Sequence, residues 1–150
     1  MSSYSFKDVV CAITGVGLNA NLGSGAAAGE EGITIEQSDD KNIMNIGANG
    51  NGIHSLRADD SGTITVRLLK TSRENAILQN AYNSQKASSI AWGKNTITVR
   101  DIARGDMITC TGVAFKATPS IDYGTEAQDV EWTFDAIRIA KVLGVGTPEI

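Results

Sequence analysis

The sequence predicts a small, mainly β protein with a single α-helix at about residues 72–85. Stretches that alternate apolar and polar residues recur along the chain, and this period of two is typical of strands with one buried face. Clusters of Gly, Asn and Asp separate these stretches and are typical of turns. Only one stretch places its apolar residues at helical spacing. The length of 150 residues suits a single domain spanning 1–150.

The first third of the chain alternates between predicted strands and connections. Residues 4–14 predict a first strand, and residues 15–29, GVGLNANLGSGAAAG, predict a loop that orders only when it meets a partner. Residues 32–37 predict a second strand, and the acidic pair at 39–40 predicts a turn. Residues 41–56 then predict two short strands around GANGNG, because an Asn/Gly cluster between apolar residues is a hairpin signal.

The pentapeptide TITVR occurs at residues 63–67 and again at 96–100, and each copy lies in a predicted strand, 62–70 and 95–102. Ile and Val of each copy are expected to face the core, and Thr and Arg the opposite side. The flanking sequences differ and there is no third copy, so a solenoid repeat is not indicated. Both copies are therefore interpreted as one strand pattern used twice.

The predicted helix follows the first TITVR strand. Thr71 and Glu74 have the spacing of a capping box, in which a hydroxyl and a carboxylate satisfy backbone N–H groups at a helix start. One apolar stripe follows, formed by Ile77, Leu78, Ala81 and Tyr82. A short strand is predicted next, at 88–92.

The last third of the chain predicts two long strands and a loop. Residues 106–116 predict a strand with a bulge at Gly112, and residues 118–127 predict a loop. Residues 128–141 predict the final strand. The apolar positions of this strand change parity after Phe134, which predicts either a bulge or a second buried face, against another subunit.

The bulk composition excludes several classes of protein. The net charge of −4 and the pI near 4.9 argue against a protein that binds the nucleic-acid backbone, which requires a basic face. Cys11 and Cys110 lie in apolar strand patterns and are expected to be reduced core residues, which favours a cytoplasmic origin. Neither a signal peptide nor an apolar stretch long enough for a membrane helix is predicted.

No pattern of catalytic, metal-binding or cofactor-binding residues stands out. The glycine-rich segment 15–29 lacks the Lys of a phosphate loop and precedes a strand instead of a helix. His54 is the only histidine and is interpreted as structural, although a hydrolase that uses it is an open alternative. The acidic pairs at 39–40 and 59–60 lack calcium-loop spacing and are interpreted as turn residues. We therefore expect no enzyme activity and no cofactor.

Four stretches together resemble the tail tube proteins of contractile-tailed bacteriophages. They are YSFKDVVCAITG, NIGANGNGIHSLRADDSGTITVRLLKTS, ENAILQNAYN and FKATPSIDYGTEAQDVEWTF, which cover most of the chain. The resemblance implies an antiparallel two-sheet β-sandwich or barrel with one flanking helix. It also implies a homohexameric ring whose inner strands form a continuous barrel. Such rings stack into a hollow tube that conducts DNA and is driven through the host envelope by the contracting sheath.

The resemblance also implies partners and a location. The partners are other copies of the chain and the tail sheath, baseplate and tape-measure proteins, while DNA passes the lumen without specific binding. The location is the virion tail, after assembly in the host cytoplasm. A tube of an R-type pyocin or a type VI-like injection system is an alternative of the same class, and a small β-sandwich binding module is an alternative of another class.

Two sets of residues are candidates for contacts or for the lumen. We expect inter-ring or inter-subunit contacts from polar and glycine residues of the two Gly/Asn-rich segments, namely Gly17, Asn19, Asn21, Gly23, Ser24, Asp39, Asp40, Asn49, Asn51 and His54. We expect lumen-facing or interface positions among the polar residues of the two TITVR copies, namely Thr63, Thr65, Arg67, Thr96, Thr98 and Arg100.

Overall fold

The protein is mainly β, with one helix among the residues that the structure describes. The structure is a computed structural model and describes residues 9–24, 32–71, 73–126 and 129–144. In chain order, its elements are β1 (Val9–Gly15), β2 (Leu18–Ser24), β3 (Ile33–Gln37), β4 (Asn42–Ile46), β5 (Gly52–Leu56), β6 (Gly62–Leu68), α1 (Glu74–Gln85), β7 (Asn95–Asp101), β8 (Asp106–Ala117) and β9 (Val130–Val142). Within these ranges no helix is long and apolar enough to cross a membrane.

Seven of the strands form one antiparallel sheet with the order β2-β1-β7-β8-β9-β6-β3. β4 and β5 pair only with each other and form a separate hairpin between β3 and β6. The prediction of a mainly β, antiparallel fold with one helix is confirmed. The two TITVR strands, β6 and β7, lie on either side of β8 and β9 in this sheet.

The core lies on one face of the seven-stranded sheet and is closed by α1. Alternate residues of the strands are buried there, and the helix adds Leu78 and Ala81. Phe115 lies at the centre of an aromatic cluster, since its ring centroid is 5.1–6.4 Å from the rings of four neighbours, Tyr82, Trp92, Trp132 and Phe134. These rings supply much of the apolar area that the core removes from water.

Side-chain amides attach α1 to the sheet at both ends. At its start, the indole N–H of Trp132 donates to Asn75 Oδ1 at 3.0 Å. At its end, Gln85 and Asn95 exchange two hydrogen bonds of 2.9 Å in the buried interior, and Gln85 also donates to the carbonyl of Val16. A Cβ on Gly15 would collide with the Asn95 carboxamide, so this close approach requires glycine. Both amides satisfy their buried polar atoms and fix the position of the helix.

The prediction of a loop at 15–29 is wrong for residues 18–24. These residues form β2, which pairs with β1 through a tight turn in which Gly17 has φ +68°. Leu18 and Ala20 are buried in the core, so β2 is held by apolar packing despite its Asn/Gly-rich sequence. Residues 25–29 lie outside the described ranges.

Two local predictions around the helix are also wrong. The helix begins at Glu74, with Arg73 at the N-cap position and no side-chain capping hydrogen bond, so Thr71 is not the cap. Residues 89–92 form turns instead of a strand, and the Ile90 N–H there donates a hydrogen bond to the Ser88 hydroxyl. The apolar stripe of the helix is confirmed.

The bulge predicted at Gly112 is confirmed, and the final strand changes parity as predicted. The ladders of β9 show no register shift around Ala136, and burial of its second face against another subunit stays a prediction. Gly112 in β8 has φ +62°, and the β7–β8 register shifts opposite it. In β9, Ala136 is buried and Ile139 packs against the core, so the core-facing parity changes between them. Ile137 is exposed and crosses over Gly112, where a Cβ would be 3.0 Å from the Ile137 side chain.

Candidate assembly surfaces

The β4–β5 hairpin continues the β3–β6 ladder beyond the end of the sheet. The ladder's last pair is Gln37 with Gly62, followed by a hydrogen bond from the Ser38 N–H to the Ser61 carbonyl at 3.1 Å. After a short interruption, the hairpin begins with the hydrogen bond from the Arg57 N–H to the Lys41 carbonyl at 2.8 Å. The hairpin therefore leaves the body at the end of the sheet where β3 ends and β6 begins.

Charged side chains tie the base of this hairpin to the sheet. Lys41 Nζ lies 2.6 Å from Asp60 Oδ1 and donates to the Asp59 carbonyl at 3.2 Å. The Asp60 carbonyl accepts the Ile139 N–H at 3.0 Å, and Asp60 Oδ2 lies 3.9 Å from Arg138. The hydrogen bond from Lys41 and its positive charge hold the pKa of the Asp60 carboxyl below its ordinary value. Ion pairs and a backbone hydrogen bond thus both connect the base of the hairpin to the sheet.

Asp59 shapes the same turn. Its Oδ1 accepts the N–H of Ser61 at 2.9 Å, and hydrogen bonding from Ser61 lowers the pKa of the Asp59 carboxyl. The interpretation of the acidic pair as turn residues holds for the local hydrogen bond of Asp59, whereas Asp60 forms ion pairs with Lys41 and Arg138 instead. Within the described ranges, no three His, Cys, Asp or Glu side chains lie close enough to hold a metal ion.

The hairpin itself carries large apolar side chains on both of its faces. The pairing places Met44, Ile46 and Leu56 on one face, and Ile43 and Ile53 on the other. All five are exposed, by 46–84%. From Asn42 to Leu56 the sequence contains no Asp, Glu, Lys or Arg. A two-stranded hairpin cannot bury either of its faces by itself, so both faces are open to a partner.

The predicted contact residues of this segment are exposed, and two of them shape the turn. Asn49 Oδ1 accepts the Asn51 N–H at 3.1 Å. His54 Nδ1 lies 3.0 Å from Asn42 Nδ2 across the hairpin. Asp39 and Asp40 are exposed near the base, and Asp39 Oδ2 lies 3.7 Å from Arg57. Contact of these residues with another subunit stays a prediction.

The other predicted contact residues belong to the β1–β2 hairpin. Gly17 is in its turn and Asn19 is exposed in β2 opposite Thr14. Asn21, Gly23 and Ser24 pair with Ala12, Cys11 and Val10 along the same strand. β1 and β6 run in the same direction, because four antiparallel pairings separate them in the sheet. The β1–β2 turn follows the end of β1 and the β4–β5 hairpin precedes the start of β6, so the two lie at opposite ends of the sheet. The structure therefore does not bring the two predicted segments together.

Both sets of TITVR polar residues lie on the face of the sheet away from the core. Ile and Val of each copy are buried, and Thr63, Thr65, Thr96 and Thr98 are half-buried on the opposite face. On this face, Arg67 Nε lies 3.4 Å from Glu131, and its guanidinium donates to Thr34 Oγ1 at 3.2 Å. Arg100 is exposed. The structure thus places both sets on a single threonine-rich face.

Sequence reasoning chose the polar residues of the hairpin and missed its apolar ones. The missed residues are Ile43, Met44, Ile46, Ile53 and Leu56. The signal was present, because NIMNI and GIHSL place apolar residues at both odd and even positions, whereas a strand with one solvent face has them at one parity. A second exposed apolar group at the same end of the sheet was also missed, formed by Ile102, Met107, Val142 and Leu143.

Comparison with known proteins gives one family and a set of similar folds. The family model described as Bacteriophage PhiTE tail tube protein matches residues 1–144. No curated protein matches the chain in sequence.

Three solved structures share the fold at low sequence identity. The tube-terminating cap of the anti-feeding prophage has a TM-score of 0.57 and 14% identity, over 96% of this chain and 93% of that one. The sheath/tube terminator of the PVC extracellular contractile injection system has a TM-score of 0.57 and 16% identity, over 95% and 98%. The PVC sheath–tube complex in the extended state has a TM-score of 0.53 and 16% identity, over 89% of this chain and 88% of that one.

Proposed function

The chain belongs to the Bacteriophage PhiTE tail tube protein family, and from this premise we propose that its copies form hexameric rings that stack into the hollow inner tube of a contractile tail. The family is structural, and its members are components of the virion tail. In this proposal the tube conducts DNA and is driven through the host envelope when the sheath contracts. Its further partners are the sheath, baseplate and tape-measure proteins, and it assembles in the host cytoplasm.

The β4–β5 hairpin is the single observation that carries this proposal. Its large apolar side chains are exposed on both faces, and it contains no Asp, Glu, Lys or Arg. A soluble monomer rarely exposes such a segment, because uncovered apolar area is unfavourable in water and promotes association. Assembly into a tube would cover both faces.

The edges of the seven-stranded sheet support ring formation. β2 and β3 are its outermost strands, and each has one side without a ladder partner among the described strands. An open edge invites pairing with another chain, and a closed ring removes every such edge. Pairing of β2 of one subunit with β3 of the next would continue the sheet from subunit to subunit.

The threonine-rich face suits the lining of a conduit. Threonine hydroxyls carry no charge, and Arg67 forms an ion pair with Glu131, so Arg100 is the one exposed cation of the two TITVR copies. A lumen rich in unpaired Lys and Arg would hold DNA through phosphate contacts. We therefore assign the polar residues of both TITVR copies to the lumen or to the subunit interface next to it.

Electron microscopy of the purified protein tests the proposal, with mass measurement of the particles. Rings of six copies or hollow tubes are expected. Ile53→Asp, in the hairpin, should abolish them, because the carboxylate would have to be buried in the contact. Ile90→Asp is the matched control, since Ile90 is also exposed but lies in the turn before β7.

Monomers or dimers of the native protein under all conditions would contradict the proposal and favour a binding module. Deletion of residues 17–27, a test suggested by the loop prediction, is unsuitable. It would remove buried Leu18 and Ala20 and therefore test folding instead of assembly.

A further inference from the structure

An apolar cavity lies at the end of the sheet opposite the β4–β5 hairpin. It has a volume of about 240 Å³ and lies between the start of α1 and the segment 118–126. Its walls include Pro119, Ile121, Tyr123, Val130 and Trp132. β6 ends and β9 begins beside it, whereas the hairpin leaves the sheet where β6 begins. The length of β6 therefore separates the hairpin from the cavity in one chain.

The cavity presents an apolar rim without a partner. Ile121 is 51% exposed and Tyr123 is 88% exposed. Lys70 is the only charged residue of the described lining. Its ammonium group lies 4.0 Å from the centroid of the Tyr123 ring and donates a hydrogen bond to the Asp122 carbonyl. This cation is thus already engaged by the wall and leaves the opening available to an apolar ligand.

We propose that the β4–β5 hairpin of one copy docks into this cavity of a copy in the adjacent ring, with Ile46 and Ile53 as the apolar residues nearest its turn. The inference rests on the proposed tube and specifies its stacking contact. The hairpin and the cavity lie at opposite ends of the sheet, so the contact joins two different surfaces and repeats without closing. Such a contact extends a stack of rings indefinitely.

Charge favours a second copy of this chain as the occupant. The protein has a net charge of −4, yet the hairpin has no Asp, Glu, Lys or Arg between Asn42 and Leu56. The hairpin carries no carboxylate, and the described lining of the cavity contains none either. Two copies of an acidic chain can therefore approach through these surfaces without mutual repulsion at the contact.

Disulfide trapping in assembled tubes tests this contact. The variant that carries both Ile53→Cys and Ile121→Cys is assembled, oxidised, and separated on a denaturing non-reducing gel. A ladder of covalent oligomers is expected, because each chain is joined at both ends. Cys11 and Cys110 do not interfere, since both are buried and burial raises the pKa of Cys11 to about 12 and that of Cys110 to about 11.

The matched control combines Ile53→Cys with Ile90→Cys, since Ile90 is exposed outside the cavity lining. It should give no ladder. Tubes without a ladder from the Ile53/Ile121 pair, or an equal ladder from the control, would overturn the proposal and leave the tube function intact. Dimers from Ile53→Cys alone would overturn it too, because they indicate hairpin–hairpin contact. Absence of rings and tubes in the unsubstituted protein would instead refute the proposed function.

Discussion

Strand β6 and the β4–β5 hairpin are consecutive in the chain but differ in how they bury apolar residues. In β6, buried and half-buried residues alternate without exception from Gly62 to Leu68. In β4 and β5, every residue is exposed although both strands carry large apolar side chains. Both segments have regular ladders, so backbone pairing alone does not distinguish them.

The difference shows where each segment finds its partner. The alternation of β6 matches one buried face, and the core of the same chain covers that face. The hairpin has apolar residues at both parities, which matches a strand covered on two sides. Because its own chain covers neither face of the hairpin, we expect these apolar side chains to be buried only by other chains.

Matched isoleucine substitutions give the largest expected difference between the two regions. Ile64→Ala should lower the free energy of unfolding by about 2–5 kcal/mol, because Ile64 is fully buried and its removal leaves a cavity. Ile53→Ala should change it by less than about 0.5 kcal/mol, because Ile53 is already in water in the unassembled chain. Urea unfolding of the unassembled protein measures both, and equal losses would mean that the hairpin folds back onto its own body.

Polar pairs extend the comparison at a smaller magnitude. Asn95→Ala should cost about 1–3 kcal/mol of the free energy of unfolding, because it leaves the buried amide of Gln85 without its partner. Asn42→Ala removes an exposed hydrogen bond to His54, whose place water can take, and should cost less than about 0.5 kcal/mol. The same denaturation experiment decides, and a near-zero effect of Asn95→Ala would show that α1 is held by apolar packing alone.

The alternating part of the fold could be predicted from the sequence. Strands such as β3, β6, β7 and β9 follow from period-two patterns, and the single helix follows from one apolar stripe. β2 could not be predicted in the same way, because its composition is typical of loops. Its strand conformation depends on pairing with β1, across a register shift at Cys11, and on the burial of Leu18. Such tertiary interactions override weak local propensity.

The candidate assembly surfaces were predicted only in part. In the segment 39–60 the predicted contact residues are polar, and the structure shows that Asn49 and Asn51 shape the hairpin turn. Its apolar residues carry the exposed area, and they were missed because exposure of an apolar side chain depends on what the rest of the fold leaves uncovered. The cavity beside α1 could not be predicted, since it forms from segments distant in sequence.

The two TITVR copies offer a third comparison, with a smaller expected effect. Arg67 is half-buried and contacts Glu131 and Thr34, whereas Arg100 is exposed and lies opposite Met107. Arg67→Ala should cost about 0.2–1 kcal/mol of the free energy of unfolding, since this ion pair is partly open to solvent. Arg100→Ala should have no measurable effect. A larger loss for Arg100→Ala would indicate that the sheet face around β7 is covered in the unassembled protein.

The smallest expected effect is that of acid, which should loosen the base of the hairpin and leave the seven-stranded sheet intact. Lys41 holds the pKa of Asp60 below its ordinary value. A carboxyl with a lowered pKa in the folded state stabilises that state above its unfolded pKa, and this contribution is lost as the pH falls through the folded pKa. The contact of Asp60 with Lys41 is therefore expected to weaken below about pH 4. Hydrogen exchange of the amides between Asn42 and Leu56 reports the loosening.

Asp60→Asn is the matched control, because it removes the titrating group and keeps the Ile139 N–H bonded to the residue 60 carbonyl. Exchange in the hairpin should be slower in the native protein than in this variant at neutral pH, and the two should converge in acid. The amides of β6 should exchange at the same rate in the native protein and in Asp60→Asn at either pH, because that strand is held by the core. Equal exchange in the two proteins at neutral pH would show that the hairpin is anchored by its backbone hydrogen bonds and that charge at its base contributes little.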